Sequence, residues 1–501
     1  MQLLACGSNS KGQLSTDDAI DKHTFATCSF YTSSSHLPPT VTSIVSAAFG
    51  ANHTVVLCEN ADVTPPERCI WGTGDGTRGQ LGTGIEMEVR RFRRLRVGDH
   101  VFKGQYDKGG DIVHIGACWA TTYIVCRPTG SPVGLSRTSD ILVSVGANDF
   151  GELGAAQSSA ITIVSFANAI HASGLVPSSP PPVFRVERLA TGLHHVIVVL
   201  HIALIDGSIH EIIVGWGASR NGQLEIHQHE EFDAAQIASS ASMKPVKQPT
   251  RKSNGTAAFL NTPTHLYTVP GDEKVLSMAL GQQHSVILIQ KKDGSTKVLC
   301  GGSNRKGQLG FTSEIITMPL RSVDCTWNGT YFETSSEPGD AGGEGGFSIL
   351  AAGSGEMGQL GRGIARTTAH PLPGPSVTVG FNVSVSPAPA SSRAVNSQVI
   401  FPALIQKARL DSLVCGSEHV VATLSYESEE RGDTAGTVER EAWAWGWNEH
   451  GNLGLGHTED VPIPTRIWPP SINIKTSSNL AAGGRLRKAW AGNGTTLLLI
   501  D

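Results

Sequence analysis

Short apolar runs recur along the whole chain, and each gives way to a cluster of glycine and small polar residues. Some runs alternate polar and apolar positions and others are apolar throughout, so they predict strands buried on one face or on both. One junction repeats as apolar strand, Gly, small polar residues, Gly, Gln/Glu/Asn, Leu. It is seen in Cys6-Gly7-Ser8-Asn9-Ser10-Lys11-Gly12-Gln13-Leu14 and again at Gly79-Gln80-Leu81, Gly151-Glu152-Leu153, Gly222-Gln223-Leu224, Gly307-Gln308-Leu309, Gly358-Gln359-Leu360 and Gly451-Asn452-Leu453. In six copies the two glycines are five apart; the second copy, read from Gly72 to Gly79, carries two extra residues.

A second junction alternates with the first: Gly-x-x-His followed by a small or β-branched residue and an apolar pair. Clear copies hold His53, His195, His284 and His419, while Cys118-Trp119-Ala120-Thr121-Thr122, Cys325-Thr326-Trp327-Asn328 and Gly492-Asn493-Gly494-Thr495-Thr496 replace the histidine. Seven copies of each junction define seven units of two or more strands joined by turns whose glycines allow positive φ and close backbone approach. A unit of this kind cannot bury both faces alone, but a closed ring can, with the repeated leucine between neighbouring sheets. The prediction is an all-β, seven-bladed propeller of four-stranded blades forming one domain over residues 1–501. The first junction has no strand pair before it, and the segment from Leu486 to Ile500 has no junction after it. The C-terminal pair is therefore expected to complete the blade begun by Leu3, which removes an open sheet edge. Segments at about 155–182, 225–270, 337–346, 371–397 and 426–441 are rich in Ser, Pro, Gly or charge and read as inserted surface loops, partly disordered.

Composition adjusts this picture little. The 57 glycines fit a turn-rich β fold, and the net charge of −5 lacks the global basic footprint of a nucleic-acid binder, so direct nucleic-acid binding is not expected. Nine cysteines include no CxxC pair, and Cys6, Cys300 and Cys415 read as small buried hydrophobes, which suits a reducing compartment. The longest apolar run, Val196 to Ile205, is too short to span a bilayer. The first strand begins near Leu3, so no leader is expected, and cytoplasm, nucleus or both is the expected location.

The paired junctions resemble the regulator-of-chromosome-condensation repeats. The segment Trp443-Ala444-Trp445-Gly446-Trp447-Asn448-Glu449-His450-Gly451-Asn452, the Gly416-Ser417-Glu418-His419 junction before it, the Thr495-Thr496 ending and the copies holding Trp119 and Trp327 resemble the fungal α-tubulin-suppressor, or killer-toxin-insensitivity, branch. That resemblance implies a non-enzymatic, monomeric propeller without cofactor or metal. It also implies a small zinc-ribbon electron carrier as partner, in support of diphthamide synthesis on elongation factor two and Elongator-dependent modification of tRNA wobble uridines. Two other functions are carried: a guanine-nucleotide exchange factor for a Ran-like small GTPase, as in the family's founding member, and a general interaction propeller.

No nucleophile elbow, P-loop or dinucleotide fingerprint stands out. The glycines Gly7, Gly12, Gly79, Gly151, Gly222, Gly307, Gly358 and Gly451 are read as structural repeat positions. So are the four histidines, because a ring of equivalent copies does not make one active site; they are expected to satisfy backbone groups between strands. His227-Gln228-His229-Glu230-Glu231 has metal-friendly residue types but no partner cluster and is placed in a loop. Arg90-Arg91-Phe92-Arg93-Arg94-Leu95-Arg96 reads as an outer edge strand whose charges block sheet-to-sheet association, or as a patch for an acidic partner. Trp447, with Glu449 and His450, stands where other copies have small polar residues and is expected on one propeller face. With Trp119, Trp327 and Glu418 these form the candidate partner-binding set.

Overall fold

The computed structural model describes residues 1–33, 36–97, 110–128, 138–157, 159–175, 182–204, 206–229, 258–311, 313–335, 347–363, 397–402, 408–426, 439–470 and 484–501. Seven antiparallel sheets form a seven-bladed β-propeller around a central channel. Blade 1 joins both chain ends: Gln2–Gly7 pairs with Thr495–Ile500 from Gln2 opposite Ile500 to Gly7 opposite Thr495, with Leu486–Ala491 inside and Lys22–Thr27 outside. Leu3, Leu4, Leu497 and Leu498 are buried on both faces of this sheet, as apolar-throughout runs require.

Blade 2 holds Ser43–Phe49, His53–Asn60, Glu67–Asp75 and Glu88–Leu95. Blade 3 holds Gly110–Cys118, Thr121–Pro128, Ile141–Gly146 and Thr162–Ile163. Val183–Thr191, His195–Ala203, Ile209–Ala218 and Phe259–Thr268 make blade 4, and Lys274–Leu280, His284–Gln290 and Thr296–Gly302 belong to blade 5. Blade 6 contains Leu320–Thr326, Gly329–Ser335 and Phe347–Gly353; blade 7 contains Arg409–Cys415, His419–Tyr426, Glu439–Gly446 and Val461–Trp468.

Several sequence expectations shift. In the second copy the first structural glycine is Gly74, which lies opposite His53 at φ +99°, so the spacing to Gly79 is five as elsewhere and there are no extra residues. Blade 6 has three named strands rather than four, and residues 397–399 pair with its outer strand through Ala351 N–H to Ser397 O at 2.7 Å and Val399 N–H to Ile349 O at 2.8 Å. The 155–182 segment contains the strand Thr162–Ile163 and a helix at Ala167–Ala172 that buries Ala169 and Ile170. Segment 225–270 contains two strands. His227–Gln228 crosses over to pair with Thr296–Gly302 of blade 5, and Phe259–Thr268 returns to close blade 4. The 426–441 segment ends inside the strand Glu439–Gly446. Residues 337–346 and all of 371–397 except Ser397 lie outside the described residues. His227 and Gln228 are therefore an edge strand, not a loop; His229 is buried with its ring stacked 5.0 Å from Phe311, and Glu230 and Glu231 fall outside the described residues. Cys6 and Cys300 are buried, whereas Cys415 is half-buried and lines the channel.

The repeat glycines have separate physical reasons. The second glycine of the first junction takes φ between 71° and 83° in all seven blades, a region that disfavours a side chain. The glycine of Gly-x-x-His has a steric reason: a Cβ on Gly50, Gly192, Gly281 or Gly416 would sit 2.0–2.3 Å from the imidazole Cε1 three residues later.

Each imidazole folds back under its own turn and reaches the next blade. His53, His195, His284 and His419 place Nε2 at 2.9, 3.0, 3.2 and 3.1 Å from the hydroxyls of Thr122, Ser285, Thr330 and Thr496. Those hydroxyls donate back to the carbonyls of Gln80, Gln223, Gln308 and Asn452 at 2.6–2.8 Å. A hydroxyl has one proton, so the imidazole must donate from Nε2; the buried Nδ1 has no partner in all four, which favours the neutral ring. The histidines thus satisfy backbone through a neighbour's hydroxyl rather than directly. Burial pushes their pKa down to about 4, 3, 4 and 4, from an ordinary value of 6.5.

Two outcomes follow from this packing. Because the folded pKa values lie below the unfolded one, the unfolded chain takes up protons first; stability is full above pH 6.5 and is lost as the pH falls toward 4. At pH 5.5 each histidine removes about 1.4 kcal/mol, so denaturant titrations at pH 7 and 5.5 are expected to differ by several kcal/mol, and His284→Gln to flatten the slope by one proton. Gly50→Ala is expected to destabilise by about 3 kcal/mol, with partial recovery in a His53→Ala background, as a double-mutant cycle of thermal melts would read.

Candidate interaction face

Both junctions lie on the same face of the ring. In every blade the residue after the first glycine of the first junction donates its N–H to a carbonyl of the second junction at 2.7–2.9 Å: Ser8, Asp75, Ala147, Ala218, Ser303, Ser354 and Trp447 donate to Gly494, Asn52, Ala120, His194, Gln283, Asn328 and Glu418. All six candidate partner-binding residues are therefore on one face, although they do not form one cluster.

Trp119 and Trp327 meet at the mouth of the central channel, a cavity of about 220 Å³. Their rings are 6.3 Å apart although they come from blades 3 and 6, and Trp119 also lies 6.1 Å from the His194 ring, which stands 4.5 Å from Phe150. Trp119 is 39% and Phe150 41% exposed, while Trp327 is half-buried. The backbone sets this arrangement. In blades 3 and 6 the second junction is a two-residue hairpin, with Cys118 opposite Thr121 and Thr326 opposite Gly329, so a tryptophan stands at each tip. Around the mouth Ala51 N–H donates to Trp119 O at 2.8 Å, Trp119 to Leu193 at 2.9 Å, Gln282 to Trp327 at 3.0 Å and Trp327 to Ser417 at 2.6 Å.

The second group lies at the seam between blades 7 and 1. Trp447 is half-buried rather than exposed; its ring packs edge-on to His450 at 5.3 Å and lies over Gly494. His450 Nδ1 is 2.8 Å from Asp21 of blade 1, and Glu449 is exposed. Glu418 stands between the groups. Its carbonyl accepts the Trp447 N–H at 2.9 Å, and its carboxylate accepts from Asn328 Nδ2 at 2.5 Å and Gln359 Nε2 at 2.9 Å. Burial pushes its carboxyl pKa up, and these two donors oppose the shift.

Sequence reasoning missed Phe150, His194 and Asp21. The signal was positional: the residue before the second glycine of the first junction reaches the next blade. Lys11 pairs with Glu88 at 2.6 Å, Arg78 with Asp149 at 2.6 Å, Lys306 with Glu356 at 3.3 Å and His450 with Asp21 at 2.8 Å, while Phe150 occupies the same place against His194. Exposed pairs of this kind contribute little to stability, but they link the turns of successive blades around a face with aromatic rings at its centre. Among the described residues no group of three or more His, Cys, Asp or Glu is placed to hold a metal ion, and no helix is long and apolar enough to cross a membrane.

Residues 441–499, the two outer strands of blade 7 with the two C-terminal strands of blade 1, match the Regulator of chromosome condensation (RCC1) repeat. The chain is similar to the Ultraviolet-B receptor UVR8 of Arabidopsis thaliana, 26% identical over 234 residues that cover 44% of this chain and 40% of that protein. It is also similar to the Secretion-regulating guanine nucleotide exchange factor of Mus musculus, 23% identical over 203 residues covering 38% and 36%. The chain thus spans about two fifths of the length of the curated relatives it matches. Among solved structures, human WBSCR16 superposes with a TM-score of 0.55 at 13% identity, covering 100% of this chain and 98% of that one, a likeness of fold. Together with the seven sheets and their repeated junctions, these matches make the chain a seven-bladed β-propeller that carries a regulator-of-chromosome-condensation repeat.

Proposed function

We propose that this propeller is a non-catalytic protein-binding scaffold that engages its partner through the face carrying both junctions. The observation that carries the reading is the Trp119–Trp327 pair with exposed Phe150 at the channel mouth, with the Arg78–Asp149 and Lys306–Glu356 ion pairs in the turns of the same face. Large aromatic rings exposed at the centre of a face and ringed by polar groups are the usual anchors of protein interfaces. The finer reading is a small zinc-ribbon electron carrier as partner, in support of diphthamide synthesis and Elongator-dependent tRNA modification. Its support is the resemblance of the Trp443–Asn452 segment and of the junctions holding Trp119, Trp327 and Glu418. Cytoplasm, nucleus or both is the location that goes with it.

A second reading, exchange on a Ran-like small GTPase, is favoured by the similarity to a relative named as a guanine nucleotide exchange factor. Titration calorimetry with the purified zinc-ribbon protein separates the two. A complex is expected, weakened about 30-fold or more by Trp119→Ala and by Trp447→Ala, since loss of a desolvated anchor costs about 2 kcal/mol or more. No complex at tens of micromolar, together with accelerated nucleotide release from the GTPase, would transfer the proposal to the exchange reading.

A further inference from the structure

The outer strand of blade 2, Glu88–Leu95, carries the arginine run, and its two sequence readings can be weighed against its surroundings. Edge protection explains part of it. The edge is already closed at Phe92, whose N–H donates to Ser29 O at 2.9 Å and whose carbonyl accepts from Tyr31 N–H at 2.9 Å, with the Phe92 ring stacked 5.0 Å from Phe30. Arg91 is also accounted for, by its ion pair with Asp17. Arg93, Arg94 and Arg96 remain: all three are exposed, and among the described residues no carboxylate pairs with them. They line one groove of about 680 Å³ together with Pro38, Pro39, Tyr31 and Trp71.

We propose that this rim groove binds an extended acidic segment of a partner protein, with carboxylates on the arginines and small apolar side chains against the prolines and Tyr31. The charge argument is local. Three exposed guanidinium groups lining one groove and without a carboxylate partner among the described residues, on a chain whose net charge is −5, form a positive site that carboxylates neutralise, and the planar guanidinium suits bidentate contact with them. The aromatic residues point to a peptide rather than to single-stranded nucleic acid. Tyr31 is 67% exposed with the Arg93 guanidinium 5.2 Å over its ring, and Trp71 is 5% exposed, so the groove offers one aromatic ring rather than the series of platforms on which successive bases stack. The groove lies along the outer strand of blade 2, and none of its lining residues belongs to the set that holds Trp119 and Trp447.

Fluorescence anisotropy tests this with a labelled peptide of glutamates interleaved with leucines, against a lysine peptide of the same pattern, oligouridine, and vesicles containing phosphoinositide. Saturable binding of the acidic peptide is expected, lost at high salt and weakened about 10-fold or more in Arg94→Glu/Arg96→Glu, whose exposed positions leave the melting temperature unchanged. Arg94→Lys/Arg96→Lys, which keeps the charge and removes the fork, is expected to fall between the two. The proposal is overturned by absence of saturable binding at tens of micromolar peptide, by equal binding of the lysine peptide, by an unchanged affinity in the charge-reversed variant, or by tighter binding of oligouridine or vesicles.

Discussion

The ring depends on one contact made between neighbouring blades: a backbone carbonyl in the first junction, held by a hydroxyl from the next blade, which in turn accepts the Nε2 proton of a buried histidine. A propeller blade meets its neighbours mainly through apolar side chains, and apolar packing is not directional. The carbonyl–hydroxyl–imidazole chain adds direction. It fixes how far one sheet is rotated against the next, because all three groups are buried and none can be left unpaired cheaply. It recurs between blades 2 and 3, 4 and 5, 5 and 6, and 7 and 1, so it also spans the seam where the two chain ends meet.

The blades that lack the histidine show what the constraint had been holding. In blades 3 and 6 the equivalent carbonyls, Glu152 and Gln359, are taken instead by the hydroxyls of Tyr123 and Tyr331 and by the indole N–H groups of Trp216 and Trp445 of the following blade, at 2.8–2.9 Å. In these two blades the turn is a two-residue hairpin, whereas blade 1, which also lacks the histidine, keeps the longer turn, with Gly492 N–H donating to Thr495 O at 2.8 Å. The hairpin tips then carry Trp119 and Trp327 into the channel mouth. The change that repairs the seam and the change that furnishes the face are therefore one substitution pattern, made twice on opposite sides of the ring.

This explains which features the sequence displayed. The blade count, the closing blade and the strand runs were legible because glycine spacing and apolar runs are local signals that seven copies reinforce. The reason for the histidines was half legible. Their equivalence pointed to a repeated structural role, but the hydroxyls of Thr122 and Ser285 that they bind lie 69 and 90 residues away in the chain, a distance no spacing rule reaches. The register error at Gly72 arose because Trp71-Gly72 mimics the strand-end pairs Trp216-Gly217 and Trp445-Gly446, whereas strand pairing places Gly74 opposite His53. The segment at 225–270 was read as a loop because His227–Gln228 is too short to leave a periodic signal and takes its partner from another blade, while Phe259–Thr268 is an exposed outer strand with an irregular register and little apolar alternation.

That crossing strand bears on how the ring holds its shape under insertion. Blades 4 and 5 each need an outer strand, and the chain provides them from one inserted segment: His227–Gln228 fills the edge of blade 5 before Phe259–Thr268 returns to blade 4. After its own first junction blade 5 continues instead into the short helix Ser313–Thr317, where Ile315 packs into the core with Phe311 and Phe332. The exchange makes the outer layer of blade 5 depend on blade 4, in the same direction around the ring as the histidine contact between those two blades. An insertion that would have left an open edge and a loosened seam thus ties the two sheets together from both sides: His195 holds them near the channel and His227 at the rim.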